Sequence, residues 1–330
     1  MGGESLIHVE GISKTFLVPK RKAGLGQSVK ALFRREYNQV KALQDISFHI
    51  NPGEIVGYIG PNGAGKSTTI KVMSGILVPD GGRCSIMGHI PWKERTRYVQ
   101  RIGVVFGQRS QLWWDVPVEE SFELLREIYK IPAQLYHQNR DMLTDSLDLG
   151  GLLHTPVRSL SLGQRMRCEI AASLLHGPEL LFLDEPTIGL DAVSKLAVRR
   201  FIQTLNREKG VTVILTTHDM SDIEALANRL LLIGKGKLLY DGSLGDLRSR
   251  YSLQRTITVL FKERAEILQV PGATLSSWSS ERAVYTVEEA DANMSAIITY
   301  LASRLDILDV TVDAQPIDDL IVSLYKEYQI

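Results

Sequence analysis

The sequence of 330 residues contains only two cysteines, Cys84 and Cys168, without a paired spacing. A disulfide framework needs a larger set of cysteines, and a cysteine-rich zinc site needs them clustered, so both are excluded. We expect two reduced and largely buried thiols in a cytosolic protein.

Excess charge and long apolar runs are missing as well. Lysine plus arginine and aspartate plus glutamate each number 38, so the formal net charge is zero and we expect no nucleic-acid partner. No apolar run approaches the roughly 18–20 residues that span a bilayer. The first residues, MGGESLIHVE, do not have the pattern of a signal peptide. We therefore expect any role at a membrane to depend on partner proteins.

Residues 40–245 alternate between apolar strands and helices, which predicts an α/β fold with a largely parallel core sheet. Between about 112 and 177 the pattern is nearly all helical, which indicates a helical subdomain inserted into this fold. The apolar runs typical of buried strands lie at 54–59, 102–106, 179–183, 211–217 and 229–233.

The sequence changes character near Tyr251. We assign residues 1–250 to the α/β domain and residues 251–330 to a small α+β accessory domain, in which RTITVLF, AVYTV and ILDVTV are typical of strands. The first strand is predicted at Ile7–Val9, and residues 17–36 form an insertion with six basic residues and one acid. This insertion is either a solvated loop or a contact for anionic lipid or a membrane partner.

A phosphate-binding loop follows the first of these apolar runs. The stretch GPNGAGKST matches the pattern G-x-x-x-x-G-K-[ST] and lies between a strand and a helix, the context that such a loop requires. Its glycines let backbone N–H groups surround phosphate oxygens, Lys66 supplies a positive charge, and the Ser67 hydroxyl is placed to bind Mg²⁺. The predicted nucleotide-binding residues of the loop are Gly60, Pro61, Asn62, Gly63, Ala64, Gly65, Lys66, Ser67 and Thr68.

Polar side chains at other strand ends are expected to complete this site. Asp184 and Glu185 end the apolar run LLFLDE, and we predict that Asp184 holds Mg²⁺ and that Glu185 is the general base for the attacking water. His218 follows VTVILTT and is predicted to donate a hydrogen bond to the terminal phosphate or to the water. Gln108 follows IGVVFG and is predicted to contact Mg²⁺ and the water.

A second anion-binding turn, SLSLGQ, lies at residues 159–164 and opens a helix. Helix N-termini bind anions because their first N–H groups lack intrahelical partners. The first site already surrounds one ATP, and the helical block separates the two turns. We therefore expect the second turn, with Ser161, Leu162, Gly163 and Gln164, to close the nucleotide site of a second copy of the chain.

The order GPNGAGKST, Gln108, LSLGQ, LLFLDEPTIGLD and TTHD resembles the ATPases of the ABC transporter family over residues 5–245. The resemblance implies their fold, a RecA-like parallel core with an antiparallel β part. It also implies ATP and Mg²⁺ as ligands, and a dimer that holds two ATP molecules between its subunits. Asp191 would then belong to a loop that crosses the dimer interface. Leu162 departs from the family's usual glycine, and its side chain must point away from the phosphate.

The resemblance also implies an aromatic ring stacked on adenine. Tyr37, which precedes NQVKALQDISF, is the favoured candidate, and Phe16, at the end of ISKTF, is the alternative that remains open. The insertion at 17–36 separates the two.

A single cassette without coiled coil, cysteine cluster or basic excess favours a transporter ATPase over a soluble ABC ATPase that acts on ribosomes or nucleic acid. The stretches FGQRSQLWWDVPVEES and PIDDLIVSLYKEY resemble the subgroup that works with ABC-2-type permeases, largely in the export of drugs, toxic organic compounds or other amphiphiles. The resemblance implies separate membrane subunits and a peripheral location on the cytoplasmic face of the membrane. Trp113 and Trp114 are candidates for contacting those subunits, unless they pack into the domain.

Overall fold

The computed structural model describes residues 5–19, 37–107, 109–251, 254–262, 267–288 and 293–328. The chain divides into two compact units, Met1–Gly242 and Ser243–Ile330. The division precedes the boundary that the sequence suggested at 250/251, because the helix Leu244–Tyr251 packs against the C-terminal helix Ile317–Glu327 and so belongs to the second unit.

The described residues of the first unit form two sheets, one of three strands in the order β2-β1-β4 and one of six strands in the order β5-β6-β7-β3-β8-β9. These strands are β1 (Ile7–Pro19), β2 (Tyr37–Ile50), β3 (Ile55–Ile59), β4 (Gly81–Ile86), β5 (Ile102–Phe106), β6 (Leu180–Asp184), β7 (Thr212–Thr216), β8 (Arg229–Gly234) and β9 (Lys237–Ser243).

Helices cover the sheets and form the block between β5 and β6. In the first unit they are α1 (Lys66–Met73), α2 (Arg95–Tyr98), α3 (Val118–Tyr129), α4 (Ala133–Ser146), α5 (Leu162–Leu174), α6 (Ala192–Lys209) and α7 (Met220–Leu226), and in the second unit α8 (Leu244–Tyr251), α9 (Met294–Arg304) and α10 (Ile317–Glu327).

The larger sheet is the parallel core that the apolar runs predicted. Strands β5, β6, β7, β3 and β8 pair in parallel, and β6 and β7 are almost entirely buried. Strands with both faces covered contain continuous apolar sequence, which is why LLFLD and TVILT show no alternation. The smaller sheet is antiparallel, so the predicted fold class, a parallel core with an antiparallel β part, is confirmed.

The first strand is longer than the sequence indicated. We predicted Ile7–Val9, but β1 continues to Pro19 and pairs with β2 as far as Tyr37. The pairing passes three register irregularities between Val9 and Thr15, which break the alternation of apolar and polar residues that marks a strand. Residues 17–19 therefore belong to the strand and not to the insertion, whose remaining residues, 20–36, lie outside the described residues.

The helical block consists of α3, α4 and α5. Pro117 and Pro132 immediately precede α3 and α4, where a missing N–H costs nothing. Lys130 directly follows α3, and its left-handed backbone (φ 53°) terminates the helix. Among the described residues, no helix is both long enough and apolar enough to cross a bilayer.

The second unit has an antiparallel sheet in the order β11-β12-β10-β13 with its own apolar core. Its strands are β10 (Gln254–Phe261), β11 (Thr274–Trp278), β12 (Arg282–Glu288) and β13 (Ile307–Ala314). Helix α9 packs Ile297 and Leu301 into this core. The sequence did not predict β11, because TLSSW is a short edge strand with few buried residues.

Candidate functional site

The phosphate-binding loop joins β3 to α1 at the carboxyl edge of the parallel sheet. It borders a cavity of about 490 Å³ that Asp184 and Glu185 also line. Carboxyl ends of parallel strands meet at one edge, so residues distant in sequence converge there. Of the predicted loop residues, those that line the cavity are Pro61, Asn62, Gly63, Ala64, Gly65, Lys66, Ser67 and Thr68.

Two glycines of the loop are required by the surrounding backbone. Gly65 has φ 114°, and a Cβ there would lie 2.6 Å from the carbonyl oxygen of Ala42. A Cβ at Gly60 would lie 2.3 Å from the carbonyl oxygen of Ile233. The loop can therefore keep this curvature only with glycine at both positions.

Lys66 is 7% exposed, and its ammonium group donates hydrogen bonds to the carbonyl oxygens of Gly60 (2.6 Å) and Pro61 (3.2 Å). Burial lowers the pKa of Lys66, while the negative charges of Glu185 and Asp184 oppose that shift. A buried cation beside a curl of backbone N–H groups is suited to hold phosphate, because it is desolvated before the ligand arrives.

Asp184 ends β6 directly opposite Thr216, the last residue of β7. The Thr216 hydroxyl donates a hydrogen bond to Asp184 Oδ1 at 2.5 Å, which orients the carboxylate. Ser67 and Asp184 line the same cavity, and hydroxyl and carboxylate oxygens are ligands that Mg²⁺ accepts. The sequence analysis did not identify Thr216, although its position at the end of the apolar run VILTT could have indicated a residue of the site.

Glu185 follows the strand end in an unusual backbone conformation. Its φ is 57°, in the left-handed region, and its N–H donates to the carbonyl oxygen of Thr216 at 3.0 Å. Non-glycine residues adopt this region rarely and at a cost, so the surrounding structure must hold it. His218 Nδ1 lies 3.5 Å from Glu185 Oε1, which brings the predicted base and its predicted partner together.

Arg109 is a cavity-lining residue that the sequence analysis did not identify. Its backbone N–H donates to the carbonyl oxygen of Phe106 at 3.1 Å, which turns the chain at the end of β5. Position 109 follows Gln108, and Gln108, predicted to contact Mg²⁺ and water, lies outside the described residues.

The second turn, which the sequence predicts to bind an anion, forms the capped N-terminus of α5. Ser161 Oγ accepts from the N–H of Gln164 at 3.3 Å, and Gln164 Oε1 accepts from the N–H of Ser161 at 2.9 Å. This reciprocal pair, a capping box, fixes the entry into α5. Ser161 and Leu162 are exposed, and none of the described residues of this turn lines the cavity at the first loop.

The turn packs instead against the chain between β6 and α6. A Cβ at Gly163 would lie 2.5 Å from Ser194 Oγ and 3.8 Å from Asp191 Oδ2, and a Cβ at Gly189 would lie 2.7 Å from Leu162 Cδ2. Leu162 therefore points its side chain toward Gly189. Asp191 caps α6 by accepting from the N–H of Ser194 at 2.9 Å. Asp191 therefore lies beside the second turn, and neither Asp191 nor the second turn lines the cavity at the first loop.

The two aromatic candidates for adenine lie on opposite faces of one ladder. Phe16 pairs directly with Val40, so both side chains project to the same face. Val40, Lys41 and Ala42 all line the cavity, although Lys41 projects to the other face. Tyr37 is three residues from Val40 in a regular part of β2 and therefore projects to the other face. The direct pairing of Phe16 with a cavity-lining residue is the reason to predict Phe16, the alternative, over Tyr37, which the sequence favoured, and the choice between them stays a prediction.

Comparison with known proteins is consistent with this site. The model of a family described as "ABC transporter" matches residues 43–188. The chain is 32% identical over 215 residues to the ABC transporter ATP-binding protein NatA of Bacillus subtilis, which covers 65% of this chain and 87% of NatA. It is 29% identical over 296 residues to the daunorubicin resistance ATP-binding protein DrrA3 of Streptomyces coeruleorubidus, which covers 88% of this chain and 93% of DrrA3.

A solved structure has the same fold. The ATP-binding subunit of an ABC transporter superposes with a TM-score of 0.62 at 25% sequence identity, over 75% of this chain and 93% of that chain.

We predict that Phe16→Ala weakens ATP binding by about five- to 150-fold, since an aromatic ring stacked on a base contributes ~1–3 kcal/mol. Tyr37→Ala, the matched change on the other face, should leave the affinity nearly unchanged. Calorimetric titration with ATP measures both. A loss confined to Tyr37→Ala would instead restore the choice that the sequence favoured.

Proposed function

Because this chain belongs to the ABC transporter family of ATP-binding proteins and is an ATPase, we propose that it powers the export of amphiphilic compounds across a membrane. In this proposal two ATPase subunits bind two ATP molecules between them, and each nucleotide touches the first loop of one subunit and the second turn of the other.

The separation of the two phosphate-binding elements supports the shared site. Lys66, Asp184 and Glu185 line one cavity, whereas Ser161 is exposed at the start of α5 outside it. An exposed turn at a helix N-terminus that lies away from the first loop fits a nucleotide bound to the first loop of another subunit. The second subunit is a further copy of this chain or a related ATPase.

The residues of the first loop also fit the nucleotide and its metal. Backbone N–H groups of the loop and the Lys66 ammonium would hold the β- and γ-phosphates, while Ser67, Asp184 and Gln108 would hold Mg²⁺. When bound, Mg²⁺ supplies charge neutralisation between the phosphates. Thr216 keeps the Asp184 carboxylate in place through its hydrogen bond.

Hydrolysis requires a water that attacks the γ-phosphate as the bond to the ADP oxygen breaks. Glu185 accepts the proton of that water, because its carboxylate lies at the cavity beside Lys66. His218, 3.5 Å from Glu185, orients the water or donates to the γ-phosphate. Ser161 and Gly163 of the second subunit close the pocket from the other side.

Exposed tryptophans support a contact with membrane subunits of ABC-2 type. Trp113 is 40% exposed and Trp114 is 51% exposed, and large aromatic side chains on a surface are frequent interface anchors. The ATPase would then lie on the cytoplasmic face of the membrane, held by these subunits. We propose the 251–330 region as an accessory or regulatory domain, and we predict no nucleic-acid partner.

The likeness to DrrA3, which extends over most of both chains, supports a drug or another amphiphile as the exported compound. No observation favours a ribosomal or nucleic-acid ATPase. The chain purified from its native membranes in mild detergent should bring ABC-2-type membrane subunits with it, and vesicles containing the complex should move hydrophobic cations only with ATP. Co-purification of ribosomes, with no membrane subunit, would contradict the proposal.

Glu185→Gln should retain ATP binding and slow hydrolysis by about 10²–10⁴, because it removes the general base. The variant should accumulate an ATP-bound dimer, measured as mass by light scattering. Glu120→Gln, an exposed glutamate of α3, is the matched control and should behave as the parent chain. Normal turnover in Glu185→Gln would remove this residue from the role of base.

Mixing two inactive chains tests the shared site. Lys66→Ala inactivates the first loop of its own chain, and Ser161→Ala inactivates the second turn of its own chain. In a mixed dimer, the first loop of the Ser161→Ala chain and the second turn of the Lys66→Ala chain form one intact composite site, so hydrolysis should return. Lys66→Ala mixed with the double variant should stay inactive. If the rate of ATP hydrolysis in the first mixture never exceeds that of the separate variants at any ratio of the two chains, the nucleotide is not shared between subunits.

A further inference from the structure

A buried carboxylate joins the second turn's helix to the chain that follows β5. Glu169 lies on α5, is 4% exposed, and burial raises its pKa. A buried carboxylate is stable only when hydrogen bonds replace the water it has lost. The hydrogen-bond partners of the Glu169 carboxylate lie in a single short segment, while the charge of Arg165, on the same helix, opposes the rise in its pKa.

This segment comprises residues 110–114. The Ser110 hydroxyl donates a hydrogen bond to Glu169 Oε1, and the Gln111 N–H donates to Glu169 Oε2 at 3.1 Å. The Gln111 side-chain amide donates to the carbonyl oxygen of Glu169 at 2.9 Å. Three hydrogen bonds thus fasten the 110–114 segment to one residue of α5.

A fourth contact lies one helical turn earlier. The Arg165 guanidinium is 5.8 Å from the centre of the Trp114 ring, within range of a cation–π interaction. Arg165 and Glu169 are four residues apart on α5 and so lie on the same side of the helix. The 110–114 segment therefore contacts α5 through two successive turns.

Helix α5 and the 110–114 segment, which these contacts join, lead to different functional elements. Helix α5 begins beside Ser161, about 12 Å from Glu169 at the rise of an α-helix. The 110–114 segment begins two residues after Gln108 and contains the exposed pair Trp113 and Trp114. A helix with buried neighbours moves as a rigid body, so a displacement at its N-terminus reaches everything fastened to it.

We propose that Glu169 is a positioning residue that makes the 110–114 segment move with α5. A nucleotide that draws the Ser161 turn toward a partner subunit then displaces Trp113 and Trp114 as well. Glu169 acts through these hydrogen bonds and does not touch the nucleotide. This inference rests on the proposed shared site, because the displacement begins with nucleotide at Ser161.

The two tryptophans provide the readout. The chain has four tryptophans, so Trp92→Phe and Trp278→Phe leave the 110–114 segment as the only source of tryptophan emission. Glu185→Gln in this reference chain holds the ATP-bound state. ATP with Mg²⁺ should then give a dimer, measured by light scattering, and a shift in tryptophan emission.

Glu169→Ala in the reference chain should still form the ATP-bound dimer but should lose most of the emission shift. In chains that retain Glu185, Glu169→Ala should lower kcat between about twofold and thirtyfold with little change in KM, the range expected for a residue that transmits coupling. Glu169→Gln should recover part of the emission shift and part of the kcat, since its amide oxygen still accepts a hydrogen bond. Glu120→Ala is the matched control and should change neither.

Ser110→Ala tests the same link from the other side and leaves the buried carboxylate intact, so it serves if Glu169→Ala fails to fold. It should also reduce the emission shift while the dimer forms. An equal emission shift with and without Glu169, or a dimer without any shift in the reference chain, would overturn the coupling alone. A reference chain that stays monomeric with ATP would overturn the shared site, and the coupling with it.

Discussion

The parallel register of three neighbouring strands is the constraint on which the site depends. Phe106 pairs with Asp184, and Asp184 pairs with Thr216, so the ends of β5, β6 and β7 lie at one level. Neighbouring strands are about 4.8 Å apart, which places the side chains at these ends within hydrogen-bond reach of one another. The Thr216–Asp184 hydrogen bond and the approach of His218 to Glu185 both result from this register.

The same register explains why polar groups can be held at the edge of an apolar core. Strands β6 and β7 are buried along their length, so their positions are set by packing and not by the charges at their ends. Glu185 can then keep a left-handed backbone, because the Thr216 carbonyl oxygen and hydroxyl both bind its N–H group. The core stabilises a conformation that the residue would otherwise rarely adopt.

The helical block separates what the parallel sheet brings together. Its α5 carries Ser161 at one end and Glu169 in the middle, and the capping box and the buried carboxylate are satisfied by different parts of the chain. Helix α5 therefore has one exposed end, suited to a ligand from another subunit, and a buried body attached to the segment after β5. This division is consistent with a protein that works as a pair.

Local sequence determined the elements whose identity depends on a few adjacent residues. Three short stretches, GPNGAGKST, LLFLDE and SLSLGQ, each indicate a function from their own residues. The continuous apolar runs predicted the parallel sheet. Tertiary structure alone decided the rest: the length of β1 beyond its irregularities, the pairing of Phe16 with a cavity-lining residue, the hydroxyl of Thr216 and the buried Glu169. Each of these features depends on which strand or segment packs against the residue. Contacts between residues that are dozens of positions apart in the chain cannot be predicted from a local sequence pattern.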